Sequence, residues 1–97
     1  MPTYIILGQF TDQGIRSVKD SPKRADAMKE SARKVGVTVK DVFWTLGHYD
    51  VVTVVDSPDD ASVTAMLLST GALGNVRTQC LRAFNADEMG KILGKVK

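Results

Sequence analysis

The run Thr3 to Phe10 is rich in β-branched and aromatic residues, which predicts a first strand. Its two faces, Tyr4, Ile6, Gly8 and Phe10 against Ile5, Leu7 and Gln9, are both largely apolar, whereas a strand buried on one side only should alternate. Helical spacing follows. Thr11 and Asp12 can cap a short helix reaching Val18, with Ile15 and Val18 on one side. Ser21 offers an N-cap for a second helix, and Pro22 takes its first position, where the missing N–H is no loss. Ala25, Met28, Ala32 and Val35 recur at spacings of three and four and form one stripe, which Gly36 ends as a C′ residue. Lys23, Arg24, Lys29, Glu30, Arg33 and Lys34 fall mostly away from that stripe and are expected to face water.

Val37 to Leu46 reads as a second strand, with Val42, Trp44 and Leu46 on one face and Asp41, Phe43 and Thr45 on the other. Gly47-His48 suits a two-residue type II′ turn into a third strand, Tyr49 to Val55. Such a turn pairs Leu46 with Tyr49, Thr45 with Asp50, Trp44 with Val51 and Phe43 with Val52, and it places Asp50 on a face with Phe43, Val52 and Val54. Ser57 and Asp60 have capping-box spacing ahead of a third helix. Its stripe is expected at Ala61, Ala65 and Leu68, widened by Met66 and Leu67, with Gly71 as the stop. Asn75 to Phe84 is a fourth strand, with Arg77, Gln79, Leu81 and Ala83 opposite Val76, Thr78, Cys80, Arg82 and Phe84. Asn85 and Glu88 cap a last helix whose apolar side is Met89, Ile92, Leu93 and Val96. The order βαββαβ plus a final helix predicts an α+β, ferredoxin-like fold: a four-stranded antiparallel sheet with helices on one face and a C-terminal helix.

Two helices can cover only one face of that sheet, yet the first and third strands are apolar on both. A large apolar patch left in water is rare in monomers. The last helix, about three turns long, is too short to cover a whole sheet. The chain is therefore expected to partner itself, as a homodimer or higher homo-oligomer packed through the open sheet face.

Composition agrees with a globular protein. Residues 1–97 suit one domain, with 43% hydrophobic and 25% charged residues. The net charge of +2 is small and the basic residues are scattered among acids, which makes no nucleic-acid footprint. Cys80 is the only cysteine, so neither an internal disulfide nor a multi-cysteine metal site can form, and a reduced, cytoplasmic setting is expected. The N-terminal stretch has no signal-peptide pattern, and no apolar run approaches the roughly 18 residues of a membrane span, so neither secretion nor a membrane role is expected.

Gly47-His48-Tyr49-Asp50 matches the Gly-x-Tyr-Asp signature of the GYD domain family. Asp12 to Ile15 with Val18 to Ala25 is similar to that family's N-terminal half, and Gly74 to Thr78 with Leu81 to Phe84 to its last strand. The resemblance covers nearly the whole chain. It implies a small bacterial or archaeal protein of the dimeric α/β-barrel type, a superfamily that also holds haem-degrading and cofactor-free monooxygenases, muconolactone-type isomerases and amino-acid-sensing modules. No single activity follows from that breadth.

The candidate chemistry centres on the hairpin. An ionised Asp50 beside Phe43 and Val52 needs a partner, which Arg77 or Arg82 can supply, or else it bonds Thr45 or turn amides and fixes the hairpin. His48 is a general-base or haem-ligand type of residue, but it lacks the further ligands of a zinc site and sits on a turn, so no metal and no cofactor are expected. Trp44 and Tyr49 are candidates to line a pocket and equally good core or interface residues. Arg77 and Arg82 point to opposite faces, one of them toward the Asp50 face, for an anion or an intersubunit ion pair. Cys80 is expected to be a buried, inert thiol. The leading functional expectation is an oligomeric small-molecule-binding or assembly module, with Trp44, Tyr49, Asp50, Arg77 and Arg82 as its ligand residues. The alternative is a cofactor-independent enzyme, monooxygenase- or isomerase-like, acting on a small aromatic or carboxylate compound with His48 or Asp50 moving the proton. A third possibility is a protein whose only task is self-association.

Overall fold

A computed structural model describes residues 1–97. The strands are β1 (Thr3–Phe10), β2 (Thr38–Trp44), β3 (Val51–Asp56) and β4 (Val76–Ala83), and they form one antiparallel sheet in the order β2-β3-β1-β4. The helices are α1 (Asp12–Arg16), α2 (Ser21–Lys34), α3 (Asp60–Ala72) and α4 (Ala86–Leu93), with a 3-10 turn at Val18–Asp20. This is the ferredoxin-like α+β fold. β1 lies inside the sheet and pairs along its whole length with β4.

Strand alternation sorts the sheet into two faces. Tyr4 and Ile6 of β1 and Val55 of β3 join Ala32, Val37, Val63 and Met66 in a core on the helix side. The opposite face carries Ile5, Leu7, Val52 and Val54, half-buried, with Phe43 54% and Leu81 40% exposed. A bulge at Lys40 shifts the β2–β3 register between Val39 and Asp41, so Val39 also packs against the core.

Sequence logic accounts for most boundaries. Thr11 caps α1 by accepting from the Gly14 N–H. Gly36, at φ +79°, closes α2 in a Schellman arrangement, with Val37 N–H on the Ala32 carbonyl at 2.9 Å and Gly36 N–H on that of Arg33 at 3.1 Å. Asn85 and Glu88 form both bonds of a capping box on α4. Two caps differ from expectation. The Ser21 hydroxyl does not cap α2; it accepts from the Trp44 indole N–H at 2.8 Å, tying α2 to β2. Asp59, not Ser57, caps α3 by accepting from the Ser62 N–H at 2.7 Å, which holds its carboxyl below the usual range. Ser57 is fully buried, its hydroxyl spent on the Asp59 carbonyl.

α3 also turns a different face inward. Val63, Met66 and Leu67 meet the core, while Ala61, Ala65 and Leu68 are exposed. Apolar residues lie all round this helix, so periodicity selects no unique side. Cys80 is likewise exposed rather than buried, because β4 is an edge strand that α3 covers incompletely. Partial desolvation, with the Asp60 charge, pushes its thiol up, away from a reactive thiolate.

α4 packs substantially against no other element, and Met89, Leu93 and Val96 are exposed along it. It is moored at its start. Arg82 stacks on the Phe84 ring with its guanidinium 4.4 Å from the centroid and reaches Glu88 at 3.4 Å.

These caps and contacts can be probed by substitution. A Cβ on Gly14 would lie 2.0 Å from the Asn75 carbonyl oxygen, whereas one on Gly71, inside α3, meets nothing. Gly14→Ala is expected to lose about 2 kcal/mol or more of stability and Gly71→Ala to gain about 0.5–1 kcal/mol, both read by urea denaturation. The Asn85 N–H and Arg82 hold the Glu88 carboxyl below its ordinary range. A depressed folded-state value means the cap is fully effective above the ordinary carboxylate range and is lost as pH falls through the lowered value. Protection of the Asn85 amide from exchange, relative to its intrinsic rate at each pH, is expected to fall over that interval, and Glu88→Gln to remove the dependence.

Candidate functional site

The hairpin differs from a two-residue turn. Trp44 pairs with Val51 and Phe43 with Val52, as the sequence pattern requires. The last backbone bond between the strands is Thr45 N–H to the Asp50 carbonyl, 2.9 Å, and a four-residue loop, Leu46 to Tyr49, lies beyond it. Leu46 and Tyr49 do not pair because the Thr45 hydroxyl takes the Tyr49 carbonyl at 2.6 Å. Gly47, at φ +99°, lets the loop turn, and Leu46 is fully exposed.

The loop is tied across the sheet rather than left in solvent. The Gln9 side-chain amide donates to the His48 carbonyl at 2.9 Å, and the Tyr49 phenol donates to Gln79 of β4 at 3.0 Å. The His48 ring is exposed and stands edge-on to Tyr49, centroids 5.2 Å apart.

Asp50 has a defined task in this arrangement. Phe10 N–H points to the β3 side of β1, where the departing loop leaves it no backbone acceptor, and the Asp50 carboxylate accepts from it at 2.8 Å. The Asp50 N–H donates to the Gly8 carbonyl at 2.8 Å. One residue thus joins β2, β3 and β1 at the end of the sheet.

The two arginines separate. Arg77 pairs with Gln9 on the open face and is exposed, and its side chain forms no hydrogen bond or ion pair within the chain. Arg82 pairs with Tyr4 on the helix side and is committed to Phe84, Glu88 and the Thr3 and Ala83 carbonyls. His48, Asp50, Arg77 and Arg82 share no hydrogen bond or ion pair with one another.

A half-enclosed cavity of about 340 Å³ lies on the helix side, between the sheet and helices α2 and α3. Trp44 is the only one of the five expected ligand residues that lines it. Its floor includes Ile6, Gly8, Val42 and Thr53, and its roof Met28 and Met66. Arg24 also lines it, contrary to the expectation of a solvated side chain. Its guanidinium is folded back onto the α1–α2 connection, donating to the Ser17 carbonyl at 2.9 Å, the Ser17 hydroxyl at 3.2 Å and the Gly14 carbonyl at 3.3 Å. Sequence spacing set Arg24 apart from the apolar stripe, but it lies one turn before Met28 and shares the cavity with it; the return of the Ser17 segment alongside it has no local signature. No cluster of three or more His, Cys, Asp or Glu residues is placed to hold a metal.

A family model described as the GYD domain matches residues 4–93. A Thermus thermophilus protein named glutamine synthetase and cystathionine beta-lyase binding protein is 37% identical over 84 residues, covering 86% of this chain and 88% of that protein. A crystal structure of a protein from the same organism superposes with a TM-score of 0.57 at 25% identity, over 89% of this chain and 96% of that one. The M. tuberculosis feast or famine regulatory protein, solved with L-methionine, gives a TM-score of 0.67 at 17% identity over 89% of this chain and 52% of its own. That last likeness concerns the fold alone.

The role of Asp50 is directly testable. Asp50→Ala removes the acceptor and strands the Phe10 amide, with an expected loss of about 1–3 kcal/mol. Asp50→Asn keeps an oxygen acceptor and is expected to lose clearly less. Chemical denaturation of both variants checks the order.

Proposed function

The chain belongs to the GYD domain family, and on that premise we propose that it is a self-associating binding module that acts beside metabolic enzymes in the cytoplasm. The uncovered sheet face carries this reading. Four strands about 4.8 Å apart and up to eight residues long present a plane of roughly 500 Å². Its centre is Ile5, Leu7, Val52, Val54, Phe43 and Leu81, with no helix over it. Monomers rarely leave a contiguous apolar patch larger than a few hundred Å² in water. Two such planes packed face to face remove about 1,000 Å², the lower bound for a specific interface.

α4 supplies the remainder. Its apolar side faces outward, and it is long enough to lie along a neighbour's edge. Arg77, unpaired on the rim of the same face, is free for a charge on the partner chain. The Thermus relative is named for binding glutamine synthetase and cystathionine β-lyase; an enzyme of that kind is the second partner we propose. No helix of the chain is long and apolar enough to cross a membrane, and the lone cysteine suits a reducing compartment.

Sedimentation at micromolar concentration is expected to give the mass of two or more chains, and Phe43→Glu, at a position already half-exposed in the free chain, is expected to return it to one. A one-chain mass for the unaltered protein would remove self-association from the proposal. Co-sedimentation with purified glutamine synthetase or cystathionine β-lyase checks the enzyme partner, and no shift with either would remove that half.

A further inference from the structure

We propose that the cavity between the sheet and helices α2 and α3 binds a small amphipathic monocarboxylate: an aromatic or branched apolar acid without an ammonium group. Its carboxylate would sit on Arg24 and its body among Met28, Val42, Trp44 and Met66. The site lies on the opposite side of the sheet from the self-association face, so it stands or falls separately from that reading.

Four observations carry it. The cavity, about 340 Å³, is at the lower end of the roughly 300–1,000 Å³ found for small-molecule sites. Its lining is mostly apolar, and Arg24 is the only charged residue in it. Arg24 has no carboxylate partner, and its three hydrogen bonds, all to Ser17 and Gly14, occupy three of five N–H donors. The guanidinium is therefore positioned and keeps two N–H donors, on Nε and Nη2, for a carboxylate.

Thr53 supplies a second polar point. The residue is only 5% exposed and lines the cavity, and its hydroxyl makes no hydrogen bond within the chain and is reached from the cavity rather than sealed in the core. A hydroxyl that faces the cavity can bond a ligand oxygen in place of water. The indole N–H of Trp44 is already engaged by Ser21, which fixes the ring and leaves it as an apolar wall.

The lining contains no Asp or Glu. A zwitterionic amino acid would bring an ammonium group into this cavity with nothing to receive it, at the desolvation cost of an unpaired charge. The charge pattern selects a simple acid.

Trp44 is the only tryptophan, so its fluorescence reports occupancy without a label. Titration of the full chain with phenylacetate is expected to give a saturable change at millimolar concentration or below. Phenylacetamide and phenylalanine, matched in shape, are expected to bind at least tenfold more weakly. Arg24→Met is expected to weaken phenylacetate at least tenfold, and the near-isosteric Thr53→Val several-fold. Equal responses to phenylacetate and phenylacetamide would overturn the proposal, as would a saturable response to phenylalanine of equal strength or none to phenylacetate. Because the acid-against-amide comparison uses the unaltered chain, it decides the matter even if Arg24→Met, which also loosens the α1–α2 connection, fails to fold.

Discussion

The constraint on which the rest of the molecule depends is that β1, an interior strand, is apolar on both faces while the chain has helices for only one. On the helix side, Tyr4 and Ile6 anchor the core, and the Tyr4 hydroxyl donates to Asp60 at the start of α3. That bond, followed by burial, raises the phenol above its ordinary range. On the other side, Ile5 and Leu7 pack laterally against Val54, Val52 and Leu81 and nothing above. Hydrophobic burial is non-directional and scales with area removed from water. One face therefore contributes to the stability of the single chain, and the other leaves its apolar side chains uncovered there. The projecting α4 is the same situation in a helix: a stripe that caps itself well and buries little.

The hairpin shows how that sheet is finished. Where β3 leaves β1, a backbone donor loses its partner, and an unpaired amide at a strand end is expensive in proportion to its burial. Asp50 fills the gap with its carboxylate while its own backbone continues the ladder to Gly8. Tyr49 and Gln9 then hold the loop across the end of the sheet. The Gly-x-Tyr-Asp signature thus reads, in this chain, as a strand-end clasp. Glycine allows the turn, tyrosine reaches two strands away, and aspartate completes the hydrogen bonding of β1.

Much of the fold was legible because it rests on local chemistry. The Gly36 stop, the Asn85–Glu88 box and the Trp44–Val51 register are decided by neighbours in sequence, and the family signature lies in one short segment. What was not legible involves competition between distant groups. Ser21 is a good cap by composition, but the Trp44 indole claims its hydroxyl. Ser57 and Asp59 are both competent caps, and the burial of Ser57 decides between them. The helix α3 is apolar all round, so only the sheet tells which side turns inward. Of the cavity only Trp44 was legible as a lining residue, because Arg24, Thr53 and Met66 come together from three elements far apart in the chain.

The size of that cavity bears on whether it is accidental. Protein interiors pack to crystal-like density, and the chain could have closed this space with a larger residue at Ala25 or Thr53. The cavity is only half-enclosed, so its roughly 340 Å³ is open to water rather than a sealed dry void. Water can enter it, so the space is wetted or filled. Hydroxyls from Thr53, Ser31 and Thr78 and the guanidinium of Arg24 suit water at the polar end, while Met28, Val42 and Met66 offer it nothing. Water held against such a wall is readily displaced by an apolar group that leaves the polar end satisfied. The same pattern that lets the empty protein tolerate the cavity thus defines what should occupy it: a molecule apolar along most of its length and anionic at one end.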